Sequence, residues 1–288
     1  MSNAKKWMTY LNERSPLPAL SFLSAGIAVS SMAFTGEFNW WYLFLGLVIN
    51  NIIFIQMRLG DELKDFENDK IINPERPLPR GLLHPPEVLK VLKGMLIAMI
   101  LVGIVIGISF NSWSAGAAII ATTLFAWLMF KEFYIGQGLA KSPLIYALTH
   151  QVIVFPLFGW MGLMLNPELI KSPAFIGWLL ANFGASFTFE ICRKLNPAAH
   201  KLANTYAHHY GRPQTVMYTT IFLAYCAFGA KLAGFFWWSL PALIILFLSL
   251  LFWIKRPQHY KIPAGLSALS SAIILWSPAI MWLLKRWS

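Results

Sequence analysis

Apolar stretches long enough to cross a bilayer recur along this chain, separated by short polar interruptions. They fall at about 17–36, 39–57, 87–110, 113–130, 143–165, 173–192, 214–233, 235–254 and 262–284. Each is close to the roughly 20 residues that carry a helix across the hydrocarbon core. The pattern predicts an all-α polytopic membrane protein, a nine-transmembrane-helix bundle. No linker marks a second unit, so residues 1–288 read as a single integral-membrane domain. The stretch before Pro16 is polar and basic, and no cleavage site for a signal peptide follows the first apolar run.

Composition agrees with the pattern. The chain is 57% hydrophobic and 12% charged, where a soluble domain carries about twice that charged fraction. With a cytoplasmic N-terminus, nineteen of the Lys and Arg residues fall in inside segments and four outside. That bias sets the orientation and favours an odd number of spans, with the N-terminus inside, the C-terminus outside and the protein in the cytoplasmic membrane. The net charge of +11 therefore reads as topology, and no nucleic-acid partner is implied. Cys192 and Cys226 lack paired spacing, which suggests neither a disulfide nor a zinc site. Tryptophans in the last three spans suit an interfacial belt.

Chemistry concentrates where the second span ends. Asp61, Asp65 and Asp69 are the only aspartates in the chain and stand four residues apart. A helix stacks such residues along one face, about 6 Å from one to the next. Three carboxylates so close repel, and a cation between them is expected. Hard oxygen ligands beside a phosphate suit Mg²⁺, which keeps few protein ligands and completes its shell with substrate and water. Asn50 and Asn51 extend the polar stripe into the span, lining a cavity or tying helices together. Tyr146 and His150 share a face of span five. His150 reads either as a satisfied packing residue or as a functional group inside the bilayer. Asn182, Ser186, Glu190 and Lys194 form a second stripe that ends on the same side as the aspartates. Glu190 there either serves the site or closes a structural pair with Arg193 or Lys194. The later His208-His209 pair lacks metal-ligand spacing.

Two polar helix ends thus meet one membrane face, one rich in carboxylates and one carrying cations, with Arg76, Arg80 and Lys131 nearby. Such a set suits a metal-bridged diphosphate whose remaining charge is met by Arg or Lys. An apolar bundle beneath it suits a lipid tail, and a polyprenyl diphosphate fits both demands. A transporter with intramembrane acids is the competing class, but its charges belong near mid-bilayer. An alcohol phosphotransferase also uses Asp-x-x-x-Asp, yet its neighbouring Asp-Gly and Ala-Arg elements are absent here.

At this point the chain resembles the UbiA-type intramembrane prenyltransferases. Their first motif reads Asn-Asp-x-x-Asp-x-x-x-Asp and precedes an Arg-Pro-Leu-Pro loop. Asp61, Glu62, Asp65 and Asp69 fall on its four positions, and Arg76-Pro77-Leu78-Pro79 matches the loop. Lys131 lies where the family has a diphosphate-binding lysine. A second motif, roughly Glu-x-x-Arg-Asp-x-x-Asp-x-x-Asp-Lys, is met by Glu190, Arg193 and Lys201 only. Lys194, Pro197 and His200 stand in place of its three aspartates.

The resemblance implies a cavity open to lipid and to the cytoplasmic side, and Mg²⁺-dependent transfer of a prenyl or polyprenyl group from its diphosphate to a lipophilic acceptor, aromatic or otherwise. It implies Asp61, Asp65 and Asp69 as metal ligands, and Arg58, Arg76, Arg80, Lys131, Arg193, Lys194 and Lys201 as diphosphate-binding residues. Tyr146, His150 and Glu190 are the candidates for acid–base help near the acceptor. A terpene cyclase using the substrate's own double bond remains the alternative within the family. The missing second acid set leaves open whether a second Mg²⁺ binds or Lys194 takes its place on the phosphate.

Overall fold

The structure, a computed structural model, describes residues 2–200 and 205–287, and every regular element among those residues is a helix. The helices are α1 (Asn3–Arg14), α2 (Leu17–Ala33), α3 (Trp40–Lys64), α4 (Phe66–Ile72), α5 (Pro85–Ser109), α6 (Trp113–Phe130), α7 (Gly136–Leu139), α8 (Pro143–Gln151), α9 (Val154–Leu165), α10 (Pro173–Cys192), α11 (Tyr206–Tyr210), α12 (Arg212–Leu232), α13 (Phe236–Lys255) and α14 (Lys261–Trp287). Among the described residues eight spans are long and apolar enough to cross a membrane, α8 and α9 together making one of them. The pair α1–α2, bent by 63°, makes a ninth when counted as one span. The protein is an integral membrane protein.

Local sequence explains the boundaries. Ser142-Pro143 and Ser172-Pro173 place a capping hydroxyl before a proline at the first helical position, where no N–H is required. Ser142 accepts from the Ile145 amide at 3.3 Å, and Ser172 from the Phe175 amide at 3.4 Å. Asn39 caps α3 through the Trp41 amide at 2.8 Å. At 25 residues, α3 is about 37 Å long against about 30 Å of hydrocarbon. Its last turn, with Asp61 and Lys64, therefore projects beyond the apolar layer.

Helices approach closely where side chains are absent. A Cβ on Gly184 would lie 2.7 Å from the Phe222 carbonyl oxygen, and one on Gly229 would strike the Ala181 amide. The α10–α12 contact is thus backbone against backbone, the packing that small residues allow in lipid. Polar side chains tie other helices. Trp160 Nε1 donates to Asn50 Oδ1 at 2.8 Å, Asn51 joins Ser21 and Ser24, and Thr123 donates to Gln56 Oε1 at 2.7 Å. Asn50 and Asn51 are helix ties in this fold.

The N-terminal segment is an ordered helix that lies across the polar end of the bundle. Tyr10 is buried in a cluster with Leu59, Leu78, Leu83, Val88 and Leu92. Trp7 Nε1 donates to Glu87, Arg80 to Glu13 at 2.8 Å, and Arg14 to Glu62 at 2.5 Å. Helix α1 thereby clamps the 73–84 loop against the end of α3.

Candidate active site

The four-residue period of the aspartates survives the break between α3 and α4. The Asp65 amide donates to the Asp61 carbonyl, Asp69 to Asp65 and Asn73 to Asp69, at 2.8 to 2.9 Å. The backbone therefore stays helical across the motif. The side chains diverge. Asp61 is half-exposed and accepts from Lys64 at 3.0 Å. Asp69, 5% exposed, takes the Arg76 guanidinium on both oxygens at 2.7 and 2.6 Å, and Asn73 at 2.8 Å. The Arg-Pro-Leu-Pro loop is thus anchored to the last aspartate of the motif. Glu62 points to the other side of α3, its side chain 1% exposed, paired with Arg14.

Asp65 is the one aspartate of the motif that closes no ion pair among the described residues. Burial pushes it above the usual carboxylate range; Lys64 pulls it down, Asp61 and Asp69 push it further up, and Lys194 pulls it down again. A half-buried acid beside two like charges is short of positive charge.

The end of α10 supplies the opposite sign. Glu190 has both oxygens engaged, Oε2 by Arg193 at 2.5 Å and Oε1 by Lys194 at 2.7 Å. Lys194 also lies 5.9 Å from the centre of the Tyr206 ring. Arg193 acts electrostatically on Asp61, and Lys194 on Asp65, so the two helix ends face one another. The Tyr146 ring lies 5.7 Å from Lys64 Nζ and stacks on His150 at 4.1 Å. The His150 ring feels Lys64, Asp61 and Glu190, which brings α8 into the same site. Down α10 from Glu190, Phe187 stacks on Phe222 at 3.6 Å and Phe183 on Phe155 at 5.1 Å. That aromatic row is an apolar floor. Beyond that row, and sharing Phe155 with it, an apolar cavity of about 330 Å³ is lined by Phe155, Gly159, Leu163, Ile170, Ile176 and Leu179.

Other expected residues sit at the rim or elsewhere. Arg58 is exposed and acts on Asp61 from one turn back. Arg80 is held by Glu13 and the Glu75 carbonyl. Lys131 lies over the rings of Phe130 and Trp127, at 4.4 and 5.8 Å. Lys201 lies outside the described residues. The sequence reading missed Lys64, which touches both Asp61 and Tyr146; its position three residues after Asp61 was the available signal. It also missed the Arg14–Glu62 pair, which joins residues 48 positions apart and leaves no local trace.

The donor set fits a divalent ion of the kind that takes one or two carboxylates and finishes its shell with phosphate and water. Asp61 and Asp65 are the groups that would hold it, since Asp69 is spent on Arg76 and Glu190 on Arg193 and Lys194. Among the described residues no three His, Cys, Asp or Glu side chains converge into a closed metal cage, so substrate oxygens would be needed to complete the shell.

The fold and this site define a polytopic helical membrane protein with an acid wall facing a basic wall at one membrane edge. The UbiA prenyltransferase family model matches residues 19–265. The chain belongs to the UbiA prenyltransferase family. The structure is similar to a solved digeranylgeranylglyceryl phosphate synthase, with a TM-score of 0.66 and 17% identity over 96% of this chain and 99% of that one. At that identity the likeness concerns the fold alone. No curated protein matches the sequence.

Proposed function

We propose that the protein transfers a prenyl or polyprenyl group from its diphosphate to an aromatic or other lipophilic acceptor inside the membrane, using Mg²⁺ at the polar end of α3. The observation that carries this reading is the meeting of two helix ends of opposite sign, with Arg193 acting on Asp61 and Lys194 on Asp65. Family membership supports the transfer class, and the charge arrangement supports a diphosphate as the group gripped.

Bound Mg²⁺ would withdraw electron density from the phosphate oxygens and so ease departure of the diphosphate. Asp61 and Asp65 would hold that charge in place, and Arg76, locked to Asp69, fixes the loop above them. Arg58, Arg80, Lys131 and Lys201 raise the local concentration of the anionic substrate at the rim. Arg193 and Lys194 exchange Glu190 for phosphate oxygens, meeting directly the charge that a second metal would otherwise meet. Phe187 and Phe183 keep water from the reacting carbon. Tyr146, His150 and Glu190 stand at the acceptor side. The polar face is the cytoplasmic one, as the lysine and arginine bias requires.

The test compares membranes carrying the wild-type protein or Asp65→Ala, given a prenyl diphosphate and Mg²⁺. The expected result is a lipid-soluble prenylated product that falls roughly 100-fold in the variant. Equal product from both removes the metal role from Asp65 and the reading with it.

A further inference from the structure

His150 is 9% exposed, and its two ring nitrogens have different surroundings. Nδ1 lies 2.7 Å from the Tyr146 carbonyl oxygen, one turn back on α8. A carbonyl only accepts, so Nδ1 carries the proton. The nearby Thr149 hydroxyl does not change this, because it spends its own proton on the same carbonyl at 2.8 Å. The neutral ring therefore keeps a bare lone pair on Nε2. That atom is buried and has no hydrogen-bond partner among the described residues.

A buried acceptor without a donor is costly, and the exceptions in native structures need a reason. The depth makes it more so. His150 is seven residues into its span, about 10 Å of helix rise below the polar face, where lipid offers no donor. Aromatic rings enclose it. Tyr146 stacks on one face at 4.1 Å with 18° between planes, and Phe133 meets it edge-on at 5.4 Å and 84°. Phe133 is held there by a turn in which Glu132, Phe133 and Tyr134 all adopt left-handed backbone, with φ of 49°, 54° and 59°. Such geometry is unfavourable for residues other than glycine, and strain of this kind persists at working sites.

We infer that His150 Nε2 receives a hydrogen bond from the acceptor substrate, and that the acceptor therefore carries a hydroxyl group at its reacting end. The inference rests on the prenyl-transfer reading and deepens it, since a cyclase substrate made only of hydrocarbon and diphosphate offers no such donor. His150 Nδ1–H, fixed by the Tyr146 carbonyl, sets the tautomer; Tyr146 and Phe133 supply flat apolar walls for the head group.

The test uses full-length protein in nanodiscs with ¹⁵N-labelled histidine, and two probes of nearly the same shape, 4-nonylphenol and its methyl ether. The His150 signals are assigned by their loss in His150→Gln. The expected spectrum without probe shows a protonated Nδ1 and an unprotonated Nε2. The phenol shifts Nε2 and binds about tenfold more tightly than the ether; His150→Phe removes that preference, and His150→Gln, which keeps an acceptor oxygen, retains part of it. A protonated Nε2 in the free protein, equal affinity for the two probes, or a preference that survives His150→Phe overturns the inference. If His150→Gln does not fold, His150→Phe supplies the assignment, and equal affinity of the wild type for the two probes overturns the inference without any variant. Equal probe affinities alongside an intact, Asp65-dependent transfer reaction sink only this inference, whereas Asp65-independent product sinks the broader reading.

Discussion

Asp61, Glu62, Asp65 and Asp69 lie within nine residues of one helical path, yet each meets a different partner. Asp61 shares Lys64, Glu62 is buried against Arg14, Asp65 closes no ion pair among the described residues, and both oxygens of Asp69 accept from Arg76. The helix sets the directions and the neighbours set the roles. Glu62, at one residue's rotation from Asp61, faces α1 instead of the site. Its Oε2 has no donor among the described residues, so Arg14, on Oε1, is its main compensation. Removing one member of a buried pair leaves the other charge uncompensated, at about 3–5 kcal/mol. Arg14→Ala is therefore expected to lower the thermal stability of the detergent-solubilised protein clearly. Arg80→Ala, which breaks a pair about 37% exposed on each side, is expected to cost under about 1 kcal/mol. Melting curves for the two variants that coincide would refute the assignment of α1 as a clamp through Arg14.

Among the elements, α3 and the turn after α6 position the chemistry. The length of α3 lifts Asp61 and Lys64 out of the apolar layer, and the hydrogen bonds through Asp65 carry the same face onward into α4. The left-handed turn at Glu132–Tyr134 brings Phe133 to His150. Tyr134 makes few contacts, being 73% exposed, so Tyr134→Gly is expected to relieve strain and raise stability by about 1 kcal/mol. Phe133→Gly loses ring contacts to Phe125 and His150 and is expected to gain nothing. A calorimetric melt reads both. The contrast shows what sequence reveals and what it hides. Apolar runs and Ser-Pro starts announce α8 and α10 because hydropathy and capping are local. Glu-Phe-Tyr carries no signal for left-handed backbone, because those residue types avoid it. The asparagines of span two were open to two readings, and only the position of Trp160 on a distant helix decides for the tie.

For the molecule as a whole, the alternation of spans puts every lysine- and arginine-rich connection on one side, so the polar helix ends had to gather there. That much, with the three aspartates, the Arg-Pro-Leu-Pro loop and the positions of the spans, was legible in the chain. The folding of α1 over the loop was not, since Trp7 meets Glu87 across 80 residues and no pattern near either predicts it. Nor was the capture of Asp69 by Arg76; the pairing of Glu190 with Arg193 and Lys194 was one of two readings the sequence left open, and it is formed here. The outcome is a membrane edge with acid on one helix end and base on the other, and the proposed function has the two grip a diphosphate through a divalent cation on one side only. Titration calorimetry of purified protein with inorganic pyrophosphate tests this most directly. Binding is expected to require Mg²⁺, to lose that requirement together with most of its affinity in Asp61→Asn/Asp65→Asn, and to weaken in Lys194→Gln while still requiring Mg²⁺. Pyrophosphate binding that ignores Mg²⁺ in the wild type, or that is unchanged in both variants, contradicts the account.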